Sequence, residues 1–175
     1  NNAPENTWSA DVFSGRDTVL FDNFETNMGW LAISGAETGN WQRVIPSGTG
    51  DQCDPATDVS GSGYCFLTGN NYHEDVDNGD TKLYSPTVMV DMSKAPTLSY
   101  YLWYNNGENC GGANANEDML LVDLAEADGT VITSLEIVGP SGPNTNGGWR
   151  FVEFNLADYL VETGEIELRV LFTVS

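Results

Sequence analysis

The chain has 175 residues, and its 26 Asp and Glu against 6 Lys and Arg give a formal net charge of -20. A field of that sign repels nucleic acid and anionic lipid, which removes both as partners. No apolar run approaches the roughly 18–20 residues of a membrane-spanning helix. Five Trp, seven Tyr and seven Phe supply apolar area that a disordered acidic chain lacks, so one folded domain is expected.

Residues 1–17 are polar, with Pro4 and the isolated Trp8 and Phe13, and read as an N-terminal arm or linker preceding a domain over 18–175. Asn1-Asn2-Ala3-Pro4-Glu5 has neither a basic nor an apolar leader region, as expected of a chain already processed. Beyond it, short β-branched and aromatic runs recur between clusters of Gly, Asn, Asp and Pro. They cover 18–22, 29–33, 41–45, 64–68, 82–84, 88–90, 98–104, 119–124, 131–138, 151–156 and 166–174. That spacing predicts an all-β, antiparallel two-sheet sandwich or a barrel. The last run is the clearest, because Ile166, Leu168, Val170 and Phe172 alternate with Glu167, Arg169, Leu171 and Thr173. The sole expected helical turn is 157–160. Two long loops, 46–63 and 139–148, are candidate functional segments, since binding residues concentrate on loops held by a rigid scaffold.

Three cysteines permit one internal bridge and leave one thiol over. Cys53 and Cys110 lie in polar, turn-rich stretches and are the expected pair; Cys53–Cys65 is the alternative, with Cys65 otherwise a small buried hydrophobe. A disulfide and extreme acidity point to an extracellular protein.

The ordered landmarks carry a resemblance. They are Phe21-Asp22-Asn23-Phe24-Glu25 with Gly29-Trp30, then Gly39-Asn40-Trp41, and Gly63-Tyr64-Cys65-Phe66-Leu67-Thr68-Gly69. Next come Asp75-Val76-Asp77-Asn78-Gly79 with Leu83-Tyr84-Ser85-Pro86, Leu98-Ser99-Tyr100-Tyr101-Leu102-Trp103-Tyr104, Asp118, Gly148-Trp149 and Leu168-Arg169-Val170. Over about residues 19–175 this order resembles the MAM-like jelly-roll accessory (adhesion-type) domain of secreted bacterial metallopeptidases, zinc carboxypeptidases included. It is more distantly similar to the cleaved-adhesin domains of gingipains. The resemblance implies a secreted, non-catalytic jelly-roll that binds structural Ca²⁺ and serves attachment or recognition of a protein or cell surface. Such domains usually continue with an Asp and a further strand, whereas this sequence ends at Phe172-Thr173-Val174-Ser175. The resemblance therefore implies that a strand partner or a metal ligand is missing, supplied by residues 1–17 or donated by another chain.

The densest acidic stretch is Glu74-Asp75-Val76-Asp77-Asn78-Gly79-Asp80. Alternate carboxylates in a Gly-containing turn suit Ca²⁺, although no Glu stands where an EF-hand needs its twelfth residue. In the jelly-roll relatives a Ca²⁺ ion ties the first strand to a distant loop, which implies Asp22, Glu25, Asp75 and Asp77 as metal ligands. Each can equally be a solvated turn residue. Catalysis lacks parts: His73 is the single histidine, and neither His-Glu-x-x-His nor Gly-x-Ser-x-Gly occurs, so the chain is read as a non-enzyme. Tyr72 and Tyr84, flanking the acidic stretch, are candidate ligand-binding rings that could stack on sugars. Two alternative functions follow: a carbohydrate-binding module of a polysaccharide-degrading system, and a self-assembling extracellular subunit that exchanges strands with neighbouring copies.

Overall fold

A computed structural model describes residues 17–48, 53–72, 74–106 and 117–175. The described chain is all-β with antiparallel pairing throughout: ten strands, two single-turn 3-10 helices and no α-helix. The strands are β1 (Leu31–Ser34), β2 (Trp41–Val44), β3 (Cys65–Thr68), β4 (Thr81–Tyr84) and β5 (Val88–Asp91). They continue as β6 (Thr97–Leu102), β7 (Leu120–Ala125), β8 (Val131–Val138), β9 (Arg150–Asn155) and β10 (Glu165–Val174). The 3-10 turns are Met92–Lys94 and Leu156–Asp158. Each is capped by the side chain before it, Asp91 accepting from the Ser93 amide and Asn155 from the Ala157 amide. The sequence places the second turn one residue late and misses the first. Residues 18–22 form no strand, because Asp22 Oδ1 accepts from the Phe24 amide at 2.7 Å and Phe24 turns left-handed at φ 63°. A short aspartate turn has replaced a ladder there.

The largest sheet runs β1-β4-β10-β7-β8, with β5 also paired to β10. The longest strand, β10, is its axis. Its first half pairs β5 (Glu165↔Asp91 to Leu168↔Val88), its second half pairs β4 (Leu171↔Tyr84 to Val174↔Thr81), and its other edge pairs β7 from Arg169↔Ala125 to Val174↔Leu120. Two separate ribbons, β2–β3 and β6–β9, account for the other paired strands among the described residues.

The core joins these pieces. Leu83, Leu120, Val122, Leu124, Leu168 and Phe172 of the large sheet share one apolar cluster with Leu102 and Val152 of the β6–β9 ribbon, and Trp41 and Phe66 of the β2–β3 ribbon pack against it. Phe172 sits between the two ribbons. Its ring meets Tyr100 of β6 edge-on at 5.3 Å, and on its other side Trp30 at 6.3 Å, which in turn packs on Phe66 of β3 at 5.8 Å. A polar tie also links β8 to the β6–β9 ribbon: Glu136 accepts from Tyr100 Oη at 2.9 Å and from Arg150 at 2.5 Å. Burial, and next the Glu136 charge, push the Tyr100 phenol well above its ordinary pKa, so it stays the donor of that pair at any physiological pH.

Because Phe172 bridges both ribbons to β10, Phe172→Ala should lower stability by about 3–5 kcal/mol with no compensating collapse. Urea unfolding followed by tryptophan fluorescence measures it, and a loss under about 1 kcal/mol would mean that the ribbons do not depend on this contact.

Candidate functional site

The strand registers fix which loops meet. At one end of the large sheet, β1 stops at Ser34, β4 starts at Thr81, β10 stops at Val174 and β7 starts at Leu120. Ser175 and Met119 exchange both backbone hydrogen bonds just beyond, which puts Asp118 at this end. The turn after β1 joins it: Thr38 bridges Asp77, the Glu37 amide donates to the Asp77 carbonyl at 2.8 Å, and Thr38 Oγ1 donates to the Asp75 carbonyl at 2.8 Å. Gly39 lets these turns touch, since a Cβ there would lie 2.2 Å from the Asp75 carbonyl oxygen and the backbone has φ +65°. From the other side, Tyr104 Oη and Asn106 Nδ2 both donate to the Asp118 carbonyl, at 2.6 and 3.0 Å. The 139–148 loop closes the end, with Thr145 accepting from the Asn106 amide and Asn146 bridging Asn105.

The result is a loop end that concentrates carboxylates. Asp118 is the most perturbed of them: burial, then the charges of Asp75, Asp77 and Glu117, push its carboxyl up to about 6. Glu74 behaves oppositely. Burial raises it, but hydrogen bonds from the Asn70 and Asn71 amides and the Asn71 side chain hold it below the usual range. Two buried acceptors flank the cluster without a hydrogen-bond donor among the described residues, Asn40 Oδ1 and Asn106 Oδ1. Asn40 follows the Gly39 contact, and Asn106, only 2% exposed, is tied to Asp118. Among the described residues no three His, Cys, Asp or Glu side chains converge closely enough to enclose a metal ion. A cation here would therefore take its remaining oxygens from Asn side chains, carbonyls and water, which Ca²⁺ accepts.

The four carboxylates expected from the resemblance do not meet. Asp75 and Asp77 belong to this loop end. Asp22 and Glu25 belong to the other: Asp22 Oδ2 accepts from Trp30 Nε1 at 2.8 Å and Glu25 Oε1 from the Tyr64 amide at 3.0 Å. Arg43 fixes that turn by donating to the Phe24 and Glu25 carbonyls and lying 4.1 Å over the Tyr64 ring. Tyr64 precedes β3 and Gly69 follows it, so about 13 Å of strand separates the two groups.

The candidate rings also part. Tyr72 is 65% exposed at the loop end. Tyr84 is half-buried in β4 beneath Arg169, 4.7 Å from its ring centroid. Arg169 donates to the Ser85 and Ala127 carbonyls. His73 and Cys110 lie outside the described residues. Cys53 is disulfide-bonded, and Cys65 is a free, buried thiol, which sets aside Cys53–Cys65. Burial, then Asp58, pushes that thiol up to about 11.

A second surface was not read from the sequence. Tyr101 and Phe151, cross-strand partners on β6 and β9, are 54% and 56% exposed with ring centroids 5.3 Å apart. Two residues further along the same faces, Trp103 and Trp149 pair at 5.8 Å, their indole N–H groups donating to the Cys53 and Thr57 carbonyls. The 53–57 segment thus covers half of an aromatic strip and leaves the other half exposed.

No protein-family model, curated protein or solved structure matches the chain. No helix among the described residues is long and apolar enough to cross a membrane.

Two outcomes are expected. The Cys65 thiolate fraction at pH 8 should be about a thousandth, so native alkylation by iodoacetamide should be far slower than in urea; equal rates would contradict the buried site. For Asp118 the folded-state pKa lies above the ordinary value, so its protonation supports the fold below about pH 4 and that support is lost as pH rises through about 6. In EDTA, Asp118→Asn should therefore raise the melting temperature at pH 7.5 and leave it unchanged at pH 3.5. A destabilised variant at pH 7.5 would contradict the crowding of charge.

Proposed function

We propose that the chain is a secreted, non-catalytic β-sandwich of jelly-roll type, related to the MAM-like accessory domains, that recognises a protein or cell surface through loops ordered by Ca²⁺. The observation that carries this reading is the approach of Asp75, Asp77 and Asp118, from segments far apart in sequence, beside two buried Asn oxygens that have no donor among the described residues. Like charges at one loop end raise the energy of the free protein, and a hard cation removes that cost while fixing three loops together. Binding then needs no turnover: the scaffold holds the loops, and the ion sets their shape. The six-stranded sheet and the two ribbons joined through Phe172 supply the two layers of the proposed sandwich. Cys53 paired with Cys110 completes the proposal and favours an oxidising compartment.

Thermal unfolding tests it. Ca²⁺ at about 100 times its dissociation constant adds about 2.7 kcal/mol, or roughly 5–10 °C for a domain of this size. That shift should appear over EDTA, be absent with equal Mg²⁺, and be abolished in Asp75→Asn. Equal curves in EDTA and Ca²⁺ would contradict the reading.

A second reading, carbohydrate binding, is favoured by the exposed Tyr101–Phe151 pair, whose rings offer apolar faces beside Ser99 and Glu153 on the same strand faces. Tyr101→Ala should then abolish retention on insoluble polysaccharide without changing the melting temperature; unchanged retention would reject this surface.

A further inference from the structure

The aromatic strip and the acidic loop end lie on one continuous piece of β-ribbon. The β6–β9 pairing ends at Leu102↔Arg150, and the Trp103 and Trp149 rings meet one step beyond it. The two chains stay paired past these rings. The Gly147 amide donates to the Tyr104 carbonyl at 2.9 Å, Asn105 bridges Asn146, and the Asn106 amide donates to the Thr145 carbonyl at 3.0 Å. Leu102 faces Arg150 while Asn105 faces Asn146, so the 146–150 side carries one extra residue. Gly147 and Gly148 absorb it with φ of 73° and 101°. Trp103 packs on this bulge, since a Cβ on Gly147 would stand 3.1 Å from its indole. Tyr104 Oη and Asn106 Nδ2 then reach the Asp118 carbonyl at 2.6 and 3.0 Å. About 10 Å of extended backbone therefore joins Trp103 to the Asn106 contact.

We propose that a cation held by Asp75, Asp77 and Asp118 sets the positions of Trp103 and Trp149, and through them the affinity of the aromatic strip for an uncharged polysaccharide chain. The inference rests on the Ca²⁺ reading above and joins it to the second one, by naming the surface that the ion controls. In the ion-free chain the charges of Asp75 and Asp77 act against Asp118 and push it outward; a bound cation reverses that push. The Asp118 carbonyl is the shared acceptor of Tyr104 and Asn106, so its displacement draws both along. Gly147 and Gly148 supply the backbone freedom for the paired chain to follow. At the other side the two indole N–H groups are tied to the Cys53 and Thr57 carbonyls, so the rings and the segment that covers them shift together beside the exposed Tyr101 and Phe151. Charge selects the polymer. A net charge of -20 repels uronate or sulfated chains, whereas a neutral chain is not repelled and offers the C–H faces of its sugars to the two rings.

The test is a Ca²⁺ titration of the EDTA-stripped full chain, following the indole N–H resonances of Trp103 and Trp149 together with the backbone amides of Asp75, Asp77 and Asp118. The indole shifts should saturate with the same midpoint as the amides. In Tyr104→Phe, which removes one bond to the Asp118 carbonyl, the amides should still saturate while the indole shifts fall about twofold. Retention on amorphous cellulose, used as an uncharged polysaccharide, should strengthen about tenfold from EDTA to Ca²⁺. Saturating amides with unmoved indoles, or indole shifts undiminished in Tyr104→Phe, would overturn the coupling and leave Ca²⁺ binding standing. No saturable shift at the amides would reject the Ca²⁺ reading and the inference with it. Responding indoles with retention absent, or equal in the two buffers, would overturn the control of polysaccharide binding.

Discussion

The pairing of β10 is the constraint on which the remaining structure depends. Ten residues in one strand hold β5, β4 and β7, and the inward side chain of Phe172 touches Tyr100 of one ribbon directly and reaches Phe66 of the other through Trp30. Alternation in this strand is thus more than a local signal. A one-residue slip would turn Phe172 outward and bring Thr173 into the core, breaking contact with both ribbons at once. The same register carries Val174 to Thr81 and Leu120, which decides that Asp118 and the 74–80 stretch share an end of the molecule.

The net charge then acquires a location. Several carboxylates are already used by the fold: Asp22 caps a turn and holds Trp30, Glu25 holds the Tyr64 amide, Asp91 caps a 3-10 turn, and Glu136 ties two sheets. Such groups are compensated by donors and need no ion. The Asp118 carboxylate, crowded by burial and by its neighbours' charge, is in a different position, and in the proposal above it is where an added cation relieves like-charge repulsion. This physical distinction moves the proposed metal site from the first segment to the loop end.

Much of the fold was legible in the sequence because turn residues punctuate it. Ten of the eleven predicted runs overlap the observed strands, with ends displaced by at most two residues. The exception, 18–22, has strand-like composition, but composition does not show that Asp22 bonds the chain two residues on. The site was less legible. Asp118 stands at a strand entrance without an acidic neighbourhood of its own beyond Glu117, and only the β7–β10 register brings it to Asp75 and Asp77. The Tyr101–Phe151 surface was hidden for another reason: in 98–104 every residue but Ser99 is apolar or aromatic, so a period of two cannot tell the inward Tyr100 from the outward Tyr101.

The central claim is that Ca²⁺ binds at the loop end and orders it. Titrating Ca²⁺ into the EDTA-stripped chain while following backbone amide chemical shifts tests this most directly. The account predicts saturable shifts at Thr38, Asp75, Asp77, Asn106 and Asp118, with Asp22, Glu25 and Tyr64 unmoved. Shifts confined to Asp22, Glu25 and Tyr64, or none that saturate, would contradict it.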